Sequence, residues 1–166
     1  MTKLQYLPFL ILNLCISLPI LATESWMVSM EEDPINKSNV CLLISKTYTI
    51  EDGQTTTPVQ LIYNGEKLLA KTKSDIDMTY PNIGLQVDTH DQHKITRVYN
   101  KNIAVFADTD HSIHQQFIDG HRARLTLGFW PTWPQTHSRT INFSLIGYTK
   151  AHTLFKKCQN DGKLSW

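Results

Sequence analysis

Along most of this chain apolar residues recur at every second position, and that period restricts it to strands with one face on a core. The clearest stretch is Arg122 to Phe129, where Ala123, Leu125, Leu127 and Phe129 point one way and Arg122, Arg124 and Thr126 the other. Ile141, Phe143 and Leu145 repeat the pattern beyond the loop from Trp130 to Ser138, and Ile83, Leu85 and Val87 share a face after Pro81. Nearer the N-terminus, Trp26 to Met30 reads as a strand. Val40 to Ile50 reads as a longer one, apolar on both faces from Cys41 to Ile44 and so central in a sheet, with Glu51-Asp52-Gly53 as its closing turn. Pro58 opens a strand through Leu61 and Tyr63, which Asn64-Gly65, a two-residue hairpin signal, returns through Leu68 and Leu69. Ile95 to Tyr99 and Ile103 to Ala107 make another hairpin about Asn100 to Asn102, whereas Lys71 to Tyr80 is polar and shows no clear period.

Two segments break the alternation. Ile113, Phe117 and Ile118 stand at near-helical spacing before Gly120, which predicts a short helix from His111 to Asp119 with a glycine stop. After Gly147, residues Tyr148, Ala151, Leu154, Phe155 and Cys158 trace one helical face, while Lys150, His152, Lys156 and Lys157 occupy the other. The tail from Gln159 to Trp166 is expected to be mostly loose. The whole is therefore expected to be β-rich: a single antiparallel β-sandwich over residues 23–166, with one short helix and a C-terminal helix.

Lys3 followed by an apolar run from Leu7 to Leu21 has the composition of a cleavable secretory signal over residues 1–22, with cleavage after Ala22 or, alternatively, after Ser25. The run of about 15 residues is short of the roughly 20 a membrane-spanning helix needs, so the mature chain is expected to lack a transmembrane segment and to reside in the periplasm or be secreted. Cys15 falls inside the run and is lost with it. The remaining pair, Cys41 and Cys158, is expected to form a disulfide in an oxidising compartment, tying the first third of the chain to the C-terminal helix.

Of the 16 lysines and arginines only Lys3 lies in the signal, and the rest balance the 15 acidic residues. Neutrality argues against a nucleic-acid partner, which would call for a basic excess or patch.

Four short segments carry a resemblance: Trp26-Met27-Val28, Cys41-Leu42-Leu43, the run from Tyr80 through Gly84-Leu85-Gln86-Val87-Asp88, and Asn142-Phe143-Ser144-Leu145-Ile146-Gly147-Tyr148-Thr149-Lys150-Ala151. In these the chain resembles the invasion-associated locus B family of small exported bacterial proteins. The resemblance implies a periplasmic or envelope β-sandwich from a Gram-negative bacterium, associated with host-cell entry and without catalytic residues, so that the partner would be another envelope protein or a host protein. The closing strand and its Cys-terminated helix are also similar to those of an accessory family of type VI secretion systems, which stands as a neighbouring reading.

His90, His93, His111 and His114, with Asp88, Asp91, Asp108, Asp110, Asp119 and His121 nearby, offer imidazole and carboxylate ligands, but neither His-x-x-His pair has the spacing of a zinc-protease helix. Solvated residues at hairpin ends are the expected reading, with no metal and no cofactor; a metal-binding periplasmic protein is the alternative. Ser144 lies mid-strand outside any nucleophile-elbow context, and Glu31-Glu32-Asp33 reads as a solvated loop, so no enzyme is expected. The feature left over is Phe129-Trp130-Pro131-Thr132-Trp133-Pro134. Trp130, Pro131 and Trp133 set large rings on a stiff loop that either contacts a partner or folds back to cap the sandwich.

Overall fold

A computed structural model of the chain describes residues 25–107, 112–130 and 137–163. The expected signal over 1–22 lies outside these residues, as do His111, Pro131 and Trp133. The elements in chain order are β1 (Trp26–Glu32), β2 (Asn39–Ser45), β3 (Tyr48–Glu51), β4 (Thr56–Tyr63), β5 (Lys67–Lys71), β6 (Asp75–Ile76), β7 (Gly84–Val87), β8 (Arg97–Tyr99) and β9 (Ile103–Ala107). Then come α1 (Ser112–Asp119), β10 (Arg122–Leu127), β11 (Phe129–Trp130), β12 (Arg139–Ser144) and α2 (Tyr148–Lys163).

The strands build an antiparallel, sandwich-like fold. A seven-stranded sheet runs β1-β2-β4-β5-β9-β8 with β3 also on β4, a three-stranded sheet runs β12-β10-β7, and β11 pairs with β6. Between the two larger sheets and the helices lies the main core, to which alternation contributes Val59, Leu61, Leu68, Ala70 and Phe106 from one side and Leu85, Val87, Ala123, Leu125 and Phe143 from the other. On the opposite face of the seven-stranded sheet Leu42, Ile44, Ile62, Leu69, Ile103 and Val105 form a second buried cluster.

Trp26 anchors the main core. Its ring meets Tyr148 edge-on at 4.9 Å and Phe117 at 5.9 Å, while its indole N–H donates to the Ser144 carbonyl at 2.8 Å. These contacts seat α2 over β1 and β2, where Cys158 reaches Cys41 with a Cα–Cα separation of 6.0 Å and a disulfide closes a loop of 117 residues.

Several local expectations needed correction. Val40 to Ile50 is not one strand: β2 pairs with the second half of β4 and β3 with the first half, and the change of register falls at Lys46 and Thr47. At the break the buried Ser45 hydroxyl accepts from the Leu61 amide at 2.9 Å and donates to the Lys46 carbonyl, replacing the ladder bond the bend removes. Asn64-Gly65 belongs to a three-residue loop, 64–66, in which Asn64 Oδ1 accepts from the Glu66 and Lys67 amides and Gly65 takes a φ of 101°. The tail does not fray at Gln159, because α2 continues to Lys163 and the Gln159 side chain packs on Gly65 where a Cβ would leave it no room.

Asp33 was misread as solvated. It is buried, and its Oδ1 accepts from the Ile35 and Asn36 amides while its Oδ2 accepts from Asn64 Nδ2 at 2.7 Å, so it joins the β1–β2 loop to the β4–β5 loop. Burial alone would raise its pKa, but these hydrogen bonds, with help from Lys67, hold it below the ordinary carboxylate value.

Alkylation before reduction should leave both Cys41 and Cys158 unlabelled, and alkylation after reduction should label both. Reduction should lower stability by about 5 kcal/mol, the chain-entropy value for so long a loop, in a denaturant titration. Labelling of the unreduced protein would contradict the pairing.

Candidate functional site

The β6–β11 corner is built from one local constraint. At Gly128, between β10 and β11, any Cβ would collide with the Tyr80 ring, so only glycine lets the chain pass it. Beyond it the alternation resumes. Phe129 is buried opposite Ile76, which anchors the corner in the core, and Trp130 beside it points outward opposite Asp75 with 66 % of its surface exposed. The Asp77 amide donates to the Gly128 carbonyl at 2.9 Å and the Ile76 amide to the Lys101 carbonyl at 2.6 Å, tying both short strands to the sandwich.

Around Trp130 an open hollow of about 410 Å³ is lined by Asp75, Asp77, Met78, Val98 and Lys101. Met78 is itself half-exposed, and Lys101 Nζ stands 3.7 Å from an Asp75 carboxylate oxygen. An indole and a thioether inside a rim of paired charge form a surface suited to desolvating a partner, with polar groups at the edge to set orientation. Trp130 therefore does not cap the core. Pro131 and Trp133, named with it from the sequence, lie outside the described residues.

The histidines do not gather. His90 is exposed and its carbonyl accepts from Gln86 Nε2, while His93 Nε2 lies 2.8 Å from Gln116 Oε1. His114 packs instead between the helices, its Nδ1 2.9 Å from the Tyr148 hydroxyl, its ring stacked on Tyr63 at 5.1 Å and 4.1 Å from His152. His111 lies outside the described residues, and among those described no three of His, Cys, Asp and Glu come close enough to hold a metal ion.

His152 is the residue the sequence reading misplaced. It was put on the polar face of α2 and Leu154 on the buried one, whereas His152 is 8 % exposed and Leu154 47 %. At about 100° per residue His152, four positions after Tyr148, stands closer to the line through Tyr148 and Phe155 than Leu154 does, so helical geometry outranked hydrophobicity. Burial first, then the neighbouring His114 and Lys156, pushes the His152 pKa down from 6.5 to about 4.

A second, larger surface hollow, about 800 Å³, lies elsewhere, around Arg122 and Arg124 at the other end of β10. Those arginines were recognised in the sequence only as the outward half of a strand pattern.

No family model, no characterised protein and no solved structure compared with this chain matches it.

A pH dependence follows from His152. Because its folded pKa lies below the unfolded value, its contribution to stability is complete above pH 6.5 and is lost as pH falls from 6.5 toward 4, where the unfolded chain takes up the proton first. The loss is on the order of 3 kcal/mol. Denaturant titrations across that window should show a markedly flatter profile for His152→Gln than for the parent; identical profiles would contradict the assignment.

Proposed function

We propose that this chain is an exported envelope protein that acts by binding and not by catalysis, as an accessory factor akin to the invasion-associated locus B proteins it resembles. The observation that carries the reading is Trp130, a large ring held two-thirds exposed by a buried Phe129–Ile76 anchor, beside half-exposed Met78. Side chains of this kind lose little conformational entropy on contact and bury a large area. The proposed partner is another envelope protein or a host protein.

Export is supported by the Cys41–Cys158 disulfide, which is consistent with an oxidising compartment such as the periplasm or the exterior. Among the described residues no helix is long and apolar enough to cross a membrane. The type VI accessory reading makes the same use of the Trp130 surface and differs only in the identity of the partner.

Trp130→Ala should leave the melting curve close to that of the parent, because the ring is outside the core, and should weaken capture of the partner from envelope extract roughly thirtyfold, about 2 kcal/mol. Quantitative pull-down beside a thermal melt checks both. Full binding by the variant would overturn the assignment of the surface, and a large loss of stability would show that the ring belongs to the core.

A further inference from the structure

The outward face of the β7–β10–β12 sheet is polar throughout, and its charges are unbalanced. Arg122 and Arg124 alternate with the buried Ala123 and Leu125, so both guanidinium groups leave the same face from positions roughly 7 Å apart. Arg122 lies opposite Ser144, and Arg124 opposite Asn142 on one side and Gln86 on the other, all neutral. Opposite charges on neighbouring strands are the usual way to stabilise such positions. Elsewhere on the surface opposite charges do meet, as in Lys37–Glu32 at 3.2 Å and Arg139–Glu51 at 3.7 Å. Neither Arg122 nor Arg124 has an ion-pair partner among the described residues.

The one carboxylate lining the hollow is engaged differently. Asp88 Oδ2 accepts from the His121 amide at 2.9 Å and Oδ1 from the Arg122 amide at 3.0 Å, which fixes the start of β10 instead of neutralising a guanidinium group. The Asn142 side chain has no hydrogen-bond partner among the described residues, and the Tyr48 hydroxyl accepts a long bond from the Ser144 amide at 3.5 Å, which leaves its own proton to donate. The hollow of about 800 Å³ thus presents two cationic forks, an amide and a phenol, with room for much more than an ion.

We propose that this hollow binds a small hydroxyl-rich ligand carrying one oxyanion, a carboxylate or a phosphate, that bridges Arg122 and Arg124. Each planar guanidinium can meet two oxygens of either group, and the bound anion relieves the repulsion between two like charges on one strand. Asn142 and Tyr48 hydrogen-bond the neutral part of the ligand. The site is separate from the Trp130 surface, at the opposite end of β10, so the two assignments stand or fall independently.

The test is a titration of the intact, oxidised protein followed by amide NMR at constant ionic strength, with glucuronate, glucose 6-phosphate and glucose as probes. Saturable shifts centred on Thr89, Arg122, Arg124 and Asn142 are expected with at least one of the two anions and not with glucose; the tighter anion identifies the oxyanion chemistry. Arg122→Gln and Arg124→Gln should each weaken that binding about tenfold or more with melting curves unchanged, since both side chains are exposed. Absence of saturable shifts with both anions, equal shifts with sodium chloride, or binding that survives both substitutions would overturn the proposal.

Discussion

The contact of Trp26 with Tyr148 decides where α2 lies, and much of the architecture depends on it. Trp26 is the first residue of the edge strand and Tyr148 the first of the last helix, so their edge-on packing brings together residues 122 positions apart in the chain. Phe117 closes the same cluster from α1, and the Trp26 indole holds the end of β12 through the Ser144 carbonyl. Once α2 is seated, Cys158 has only one cysteine within reach among the described residues, and the disulfide makes the arrangement permanent. Burial of three aromatic rings supplies the attraction, and the covalent link removes alternatives from the unfolded chain.

The sequence revealed the strands because a two-residue period needs no knowledge of partners: β10, β12, β7 and the β8–β9 hairpin stand where alternation and turn residues put them. Asn100 and Lys101 take the left-handed conformation, as a tight hairpin between twisted strands requires. Errors arose where tertiary contacts override local character. Asp33 and His152 are polar residues whose burial depends on Asn64 and His114, distant in sequence, and nothing in their neighbourhoods announces those partners. Ser45 bends a run that hydrophobicity alone would keep straight. The short β6 and β11 strands likewise exist through each other, β6 in a polar stretch and β11 where a strand ending at Phe129 was expected to give way to loop at Trp130.

The candidate surface was partly visible. Trp130 stood out because a tryptophan followed by proline is unusual at a loop, but its outward direction depends on Gly128 and Tyr80, which only the fold brings together. The arginine pair left a fainter trace: two cations two residues apart on a strand become informative only when the neighbours across the sheet are known to be neutral. The arginine pair sits on β10 and Trp130 just past its other end on β11, on a body in which no buried side-chain polar atom among the described residues lacks a partner.

Trp26 is buried at the centre of the core, and Trp130 is the ring proposed to face the partner. Fluorine NMR of protein labelled at its tryptophans, with resonances assigned by single substitution, addresses both halves at once. The account predicts that a soluble paramagnetic agent leaves the Trp26 signal unaffected and broadens that of Trp130, and that adding envelope extract shifts Trp130 and not Trp26. A Trp130 resonance as shielded as Trp26, or one indifferent to the extract while the protein is demonstrably captured, would contradict it.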